Sequence, residues 1–304
     1  MSPNAVLPGA ATAPLPTDEA SAARLAWRIA GSVCLPPSSA FPGCASYHGI
    51  YPLLHALGMA ATPDRHAEFY HRELGRLARS GDFSSVLVAG TADHGMLSHV
   101  LGAWGEARLC LEMLDLCPTP GRLCQEWAER HSLQIAVHAG DVLAWKSMRP
   151  YDLVVTHSFI PKFTPASRPQ LFRALCGLLR PGGRLVTTVR IDPDEEAAAA
   201  VSFSDAQAAA FAAALVSRTA PYAAGLGIDL EQLHALALSH CAGMRSYPVA
   251  SESVLRQLLV DGGFEIESLA LIARHGRLDR RLAGSGTHRA AVYADFVAVR
   301  ARRD

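Results

Sequence analysis

Between Phe83 and Ile191 the chain alternates short apolar runs with longer amphipathic stretches, which narrows the fold more than any other feature of the sequence. The apolar runs are "SVLVAG", "ARLCLEMLD", "QIAVHAGD", "YDLVVTHS" and "GGRLVTTVRI". The intervening stretches are "GMLSHVLGAW", "TPGRLCQEWAERH" and "SRPQLFRALCGLL". In the last of these, Leu171, Phe172, Leu175, Leu178 and Leu179 fall on one helical face. Strands that are apolar throughout need cover on both faces, and helices alternating with them supply it. The pattern therefore predicts an α/β fold with a parallel sheet and helices on both sides.

The flanks follow other rhythms. Residues 19–82 are predicted helical, as a lid, with "DEASAARLAWRIAGSV", "SYHGIYPLLHALGM" and "PDRHAEFYHRELGRLARSG" as three helices. In the third, Phe69, Leu74 and Leu77 share a face, and Ser80-Gly81 is a C-cap signal. Residues 1–18 are Pro- and Ala-rich and are expected to be disordered. Residues 83–304 form the sheet domain, interrupted by an Ala-rich helical insertion at 194–244. Late in the chain, "FEIESLALIARHG" and "RAAVYADFVAVRAR" are strands with no crossover helix between them, so a hairpin-like pair at the sheet edge is expected. Val292, Ala294 and Phe296 would share one face of the last strand, and Val297 and Val299 the other. The basic stretch between these strands reads as a solvated loop.

Charge and cysteine content bound the partners. Lys plus Arg and Asp plus Glu both number 28, so electrostatic binding to nucleic acid or an anionic membrane is not expected. No run reaches the roughly 20 apolar residues of a membrane span, and the start has no secretory pattern. The seven cysteines show no C-x-x-C pairing, which suits reduced thiols in a cytoplasmic protein. No cluster of His, Asp or Glu stands at metal-ligand spacing, so no metal is expected.

In an open parallel sheet, ligands bind beyond the carboxyl ends of the strands. After the first strand come Gly90, Thr91, Ala92, Asp93, His94 and Gly95, a turn into a helix whose free N–H groups would face a ligand. After the second come Asp115 and Leu116, an acid placed to accept ribose hydroxyls. After the third come Asp141 and Val142, a carboxylate within reach of an exocyclic amine. After the fourth come Thr156, His157 and Ser158.

These strand ends resemble the class I S-adenosylmethionine-dependent methyltransferases. "VLVAGTADHG" stands where that family has its glycine-rich motif, and "LEMLDLCPTP", "AGDVLAW" and "YDLVVTHSFI" resemble the next three motifs. "LLRPGGRLV" resembles the helix-turn-strand signature before strand five, and "LLVDGGFEIESL" the approach to strand six. The resemblance covers about Phe83 to Ile191 and Ser251 to the C-terminus. It implies a Rossmann-like, mostly parallel seven-stranded sheet with an antiparallel last strand, S-adenosylmethionine as cofactor, and a small-molecule substrate, with secondary metabolism as the setting. The departures are specific. Val88 stands where the family has an acid, and Ala92 and His94 stand where it has the second and third glycines. Asp93 is the candidate substitute carboxylate. A nicotinamide dinucleotide is the rival cofactor, and a non-catalytic relative that has lost its cofactor is a further reading.

Candidate bases are His157 and His48. Tyr47, Tyr51 and His55 follow at i, i+4 and i+8, so one helix would align them as a core stripe or as aromatic faces over a sulfonium. A second reaction has a motive in Val88. An adenosylmethionine whose amine is not locked against a carboxylate could cyclise to a four-membered amino acid, releasing methylthioadenosine. The insertion would close the site or make a homodimer contact.

Overall fold

The computed structural model describes residues 13–37, 43–105, 109–192, 202–274 and 291–302. Residues 1–12, most of the basic stretch after β6 and the start of the insertion lie outside the described residues, and the expected disorder up to residue 18 is corrected at Thr17 and Asp18, which open α1. In chain order the elements are α1 (Thr17–Val33), α2 (Ala45–His48), α3 (Tyr51–Ala56), α4 (Ala67–Ser80), β1 (Ser85–Ala89), α5 (Gly95–Trp104), β2 (Cys110–Asp115), α6 (Pro118–Arg130), β3 (Ala136–Ala139), β4 (Tyr151–Val155), α7 (Arg168–Leu178) and β5 (Leu179–Ile191). Then follow α8 (Asp205–Thr219), α9 (Ala223–Leu226), α10 (Leu230–Gly243), α11 (Glu252–Asp261), β6 (Phe264–Arg274) and β7 (Ala291–Arg300). Single 3-10 turns stand at Pro63–His66 and Ile160–Lys162.

The seven strands form one sheet in the order β3-β2-β1-β4-β5-β7-β6. The first five pair in parallel, and β7 runs antiparallel between β5 and β6. This is the Rossmann-like arrangement expected from the sequence, with the late hairpin-like pair at the edge. Strand order reverses between β1 and β4, which opens a crevice at their carboxyl ends.

Period-two alternation divides the core. Leu87 and Ala89 of β1 pack on one face with Leu171, Phe172 and Leu175 of α7. Val86 and Val88 pack on the other with Leu74 of α4, Met96 of α5 and Cys124 of α6. Ala294 and Phe296 of β7 join the first face and Val297 the second, as the alternation requires. Gly81 ends α4 in the left-handed conformation, φ 75°, which a glycine adopts without steric cost.

A third core lies away from the sheet. Ala23 of α1 and Ile50, Leu53 and Leu54 around α3 pack with Phe211 and Leu215 of α8 and Leu233 and Ala237 of α10. Helices α1 to α3 and the insertion, far apart in sequence, therefore build one helical cap, whereas α4, expected as part of the lid, packs on the sheet instead. Asp18 ties that cap to α6, accepting hydrogen bonds from Trp127 Nε1 at 2.8 Å and Arg130 Nη1 at 2.8 Å. One local expectation is corrected. Tyr47 to His55 is not a single helix but α2 and α3, separated at Gly49 and Ile50 just before Pro52, whose ring cannot sit in a helix interior.

The opposite end of the sheet is held by Asp152 of β4. Its Oδ2 accepts the backbone N–H groups of Ser84 and Ser85, both at 2.9 Å, and its Oδ1 accepts Arg180 Nε at 2.5 Å. Burial would raise this carboxyl's pKa, but Arg180 and the two N–H groups bring it below 3.8. A depressed carboxylate stabilises the fold above its unfolded value and loses that contribution as pH falls through its folded value. Asp152→Ala is expected to lose about 2 kcal/mol at neutral pH in urea unfolding, a figure reduced for the partly exposed Arg180, with the deficit shrinking below about pH 4.

Candidate functional site

Two adjoining cavities, each about 280 Å³, open over the crevice at the ends of β1, β2 and β4. Their shared wall is Gly90, Thr91 and Ala92, with Phe159 and Lys162 from beyond β4 and Tyr47 and His240 from the cap. The first cavity ends on Asp115, Leu116 and Cys117. The second runs below Tyr51, His157, Arg190 and Tyr293 and is roofed by Phe203 and Phe211 of the insertion.

Gly90 fixes the turn out of β1. Its φ is 67°, and a Cβ there would run into the Phe159 ring. Any other residue would be strained and would displace that ring. At the end of β4, Ser158 also holds a positive φ, 48°, which is uncommon for a non-glycine residue and concentrates at functional sites.

The loop between Gly90 and Gly95 explains its unusual sequence. Asp93 is buried, with Oδ2 at 2.7 Å from His55 Nδ1 and Oδ1 accepting Gly95 N–H at 2.9 Å. His55 also reaches Asp64 at 3.1 Å. Burial alone would lower the His55 pKa, but the two carboxylates outweigh it and raise it to about 10. His94 is turned out of both cavities and stacks on Trp127 at 5.2 Å. The loop accommodates a histidine at a glycine position by packing its ring between cap and α6. Asp93 lines the second cavity, but both its oxygens are engaged, which corrects the expectation of a free substitute carboxylate. Val88 is fully buried in the sheet core.

Asp115 behaves differently. Its Oδ1 accepts Cys117 N–H at 2.9 Å, and among the described residues its Oδ2 has no hydrogen-bond partner. Burial raises its pKa to about 6, against the opposing pull of His48 and Lys162. Lys162 is exposed and lines both cavities. Protein packed around the ammonium lowers its pKa, with Asp115 pulling the other way. Its Nζ lies 4.7 Å from the centre of the Tyr47 ring. Tyr47 stacks on His240 at 5.8 Å and tilts against Tyr51 at 5.3 Å. Burial raises the pKa of both phenols, so Tyr47 and Tyr51 stay protonated at neutral pH.

The candidate bases are less free than the sequence suggests. His157 Nε2 donates to Ala61 O at 3.1 Å, and Nδ1 accepts from Thr188 Oγ1 at 3.1 Å with Tyr70 Oη equally close. Burial drives its pKa down to about 3, so it is a neutral, fixed ring and a weak base. His48 Nδ1 faces Cys34 Sγ at 3.5 Å. Thr156 is buried, with Oγ1 at 2.5 Å from Thr187 Oγ1, and lines neither cavity. Asp141 is exposed and accepts Leu143 N–H at 2.9 Å, and neither it nor the buried Val142 lines either cavity. The structure thus brings together Gly90, Thr91, Ala92, Asp93, Asp115, Leu116, His157, Tyr47, Tyr51 and His48, and leaves out Gly95, Asp141, Val142 and Thr156. Local spacing showed no His, Asp or Glu cluster, but the fold brings Cys34, Cys44, His48 and Cys117 together from separate segments.

Sequence reasoning missed Phe159, Lys162, Arg190 and His240, and it named closure by the insertion without finding Phe203 and Phe211. One signal was present for Lys162. The chain has only two lysines, Lys146 and Lys162, against many arginines. Unlike arginine, lysine can lose its proton when buried, so a lone lysine just past a strand end stands out.

No family model matches the chain, and no curated protein matches it. Solved structures do. Magnesium protoporphyrin IX methyltransferase from Synechocystis PCC 6803, with bound S-adenosylhomocysteine, is 15% identical over 78% of this chain and 84% of that one, TM-score 0.46. An N-methyltransferase from Bradyrhizobium japonicum WM9, in complex with the same product, is 16% identical over 76% and 86%, TM-score 0.44. A protein described as a possible exported protein from Bordetella parapertussis is 19% identical over 92% and 78%, TM-score 0.49. Likenesses this remote assign no reaction to the chain. Among the described residues, no helix is long and apolar enough to cross a membrane.

A buried acid with a raised pKa costs stability once it ionises. For Asp115, stability falls as pH rises from 3.8 towards about 6, because the native state keeps the proton that the unfolded chain has lost. Asp115→Asn is expected to be about 1 to 3 kcal/mol more stable than the parent at pH 7 in urea unfolding, with the gain fading towards pH 4.

Proposed function

We propose that the protein is a class I S-adenosylmethionine-dependent methyltransferase acting on a small molecule, as in secondary metabolism. The observation that carries this reading is the pair of cavities meeting over Gly90, Thr91 and Ala92. One ends on a carboxylate with an unpartnered oxygen, and the other is roofed by the cap. That layout suits a donor and an acceptor held end to end. The cofactor supplies a methyl group on a sulfonium, transferred by in-line displacement.

The residues fit it in three ways. Asp115 Oδ2 is positioned for two ribose hydroxyls. The backbone at Gly90 allows close approach once the Phe159 ring turns aside. The Tyr47 ring already faces one cation, the Lys162 ammonium, and the same face suits a sulfonium when Lys162 turns to a carboxylate. Tyr51, Phe203 and Phe211 exclude water and hold the acceptor near the donor. His157 positions the acceptor as a neutral ring and takes no proton at neutral pH. A proton released by the acceptor passes to solvent through the open side of the cavity.

A second reading has its own observation. Among the described residues of the loop after β1, no carboxylate is free to hold the cofactor's ammonium, because Val88 is core and Asp93 is bound to His55 and Gly95. Left unpaired, that amine would lose a proton to solvent and attack its own side-chain γ-carbon. The C–N bond forms as the C–S bond breaks, giving a four-membered cyclic amino acid and methylthioadenosine.

Mass spectrometry of the protein incubated with S-adenosylmethionine alone separates the two. The leading reading predicts intact S-adenosylmethionine, and S-adenosylhomocysteine at about 100 times its Kd adding about 2.7 kcal/mol to stability, seen as a raised Tm. Methylthioadenosine with the cyclic product would establish the second. No Tm change with either ligand, and a rise with a nicotinamide dinucleotide, would refute both. Two variants report on the placement. Asp115→Asn is expected to bind S-adenosylhomocysteine about tenfold or more weakly. Parent affinity should fall about tenfold from pH 7 to pH 5 as Asp115 protonates, and the variant's should stay flat. Tyr47→Leu should weaken the sulfonium ligand about threefold to thirtyfold more than the uncharged product, by calorimetry.

A further inference from the structure

We infer that Cys34, Cys44, His48 and Cys117 form a structural zinc site that fastens the helical cap to the β2–α6 loop. This inference stands on the side chains themselves and does not depend on the reaction proposed above.

The four ligand atoms lie within 4.8 Å of one another, and no other group of three or more such donors is as close among the described residues. They come from three places in the fold. Cys34 is the C-cap of α1, Cys44 and His48 stand at the two ends of α2, and Cys117 is the N-cap of α6. Tetrahedral zinc, with bonds of about 2.3 Å to sulfur and 2.0–2.1 Å to nitrogen, sets S···N edges near 3.6 Å and S···S edges near 3.8 Å. Cys34 Sγ and His48 Nδ1 are already 3.5 Å apart. The widest separation needs to close by roughly 1 Å, a change within the reach of side-chain rotation.

The donor chemistry selects the ion. Three thiolates and an imidazole are soft to borderline ligands that favour zinc over magnesium or calcium. Four protein donors leave no open position, which is the pattern of a structural rather than a catalytic site. The surroundings also suit thiolates. Thr119 N–H donates to Cys117 Sγ at 3.5 Å, and Thr119 Oγ1 lies 3.0 Å from Cys34 Sγ. Such contacts hold ligands in place and offset their charge. Cys117 also stands at the N-terminus of the 13-residue α6, where the helix dipole favours an anion. Binding is acid–base chemistry without oxidation. One Zn²⁺ takes the three sulfurs and the imidazole nitrogen, and the three thiol protons pass to solvent.

The consequence reaches the cavity. Cys44, His48 and Cys117 line the same cavity as Asp115, and Asp115 Oδ1 accepts the Cys117 N–H. Zinc on Cys117 would fix the loop that aims Asp115, while Cys34, Cys44 and His48 fix the cap above it. In sequence the only trace is Cys44-x-x-x-His48, one helical turn, because the other two donors arrive by folding.

The test is the metal content of the full-length chain, purified without a histidine tag under reducing conditions and dialysed against equimolar zinc. About one zinc per chain is expected by mass spectrometry of the metal, with X-ray absorption at the zinc edge giving three sulfur and one nitrogen ligands. Cys34→Ser and Cys117→Ser should each lower retained zinc roughly tenfold or more, and Cys110→Ser, on an exposed cysteine outside the cluster, should retain it. If the serine variants do not fold, the absorption spectrum of the parent protein decides alone. A parent chain that retains no zinc with every thiol open to alkylation overturns the proposal. So does a disulfide between any two of the four residues, or a zinc edge with oxygen-dominated ligands.

Discussion

The turn at Gly90 sets the rest of the site in place. Its φ of 67° and the Phe159 ring against its α-carbon let the chain leave the central strand β1 at the point where strand order reverses. A side chain there would push Phe159 away and close the space between the two cavities. Because β1 is hydrogen-bonded to both β2 and β4, the same turn places Asp115 on one side and His157 and Lys162 on the other. The sheet supplies rigidity, and this glycine opens the crevice.

The cap has a complementary part. Its core is shared between α1–α3 and α8–α10, so the roof over the cavities cannot form until both segments are in place. Asp18 holds it to α6, and Asp93 holds it to the loop after β1 through His55. The loop after β1 is thus fastened to the cap through His55 and to α6 through His94 stacked on Trp127.

The sheet was legible in the sequence because strand burial writes a period of two and helix burial a period near 3.6 into nearby residues. Leu87 against Val88, and Phe296 against Val297, are separated to opposite faces as their spacing required. Strand-end positions were legible for the same reason, so Gly90 and Asp115 were found. What remained hidden depends on contacts across long stretches of chain. Nothing local says that Asp93 meets His55 or that Thr156 turns to Thr187. Nor does local spacing show Cys34 and Cys117 meeting beside His48. Asp141 followed the motif but faces solvent, because the end of β3 lies two strands from the crevice. Pro52 and Gly49 did announce a break between α2 and α3, and the aromatic spacing across them concealed it.

The central claim is that the paired cavities hold an adenosyl cofactor across Gly90. A crystal structure grown with saturating S-adenosylhomocysteine tests it most directly. The account predicts ribose hydroxyls on Asp115, the thioether beside Tyr47 at the junction of the cavities, and the Phe159 ring turned away from Gly90. Both cavities without ligand under those conditions, or a nucleoside bound away from Asp115 with Phe159 still against Gly90, would contradict it.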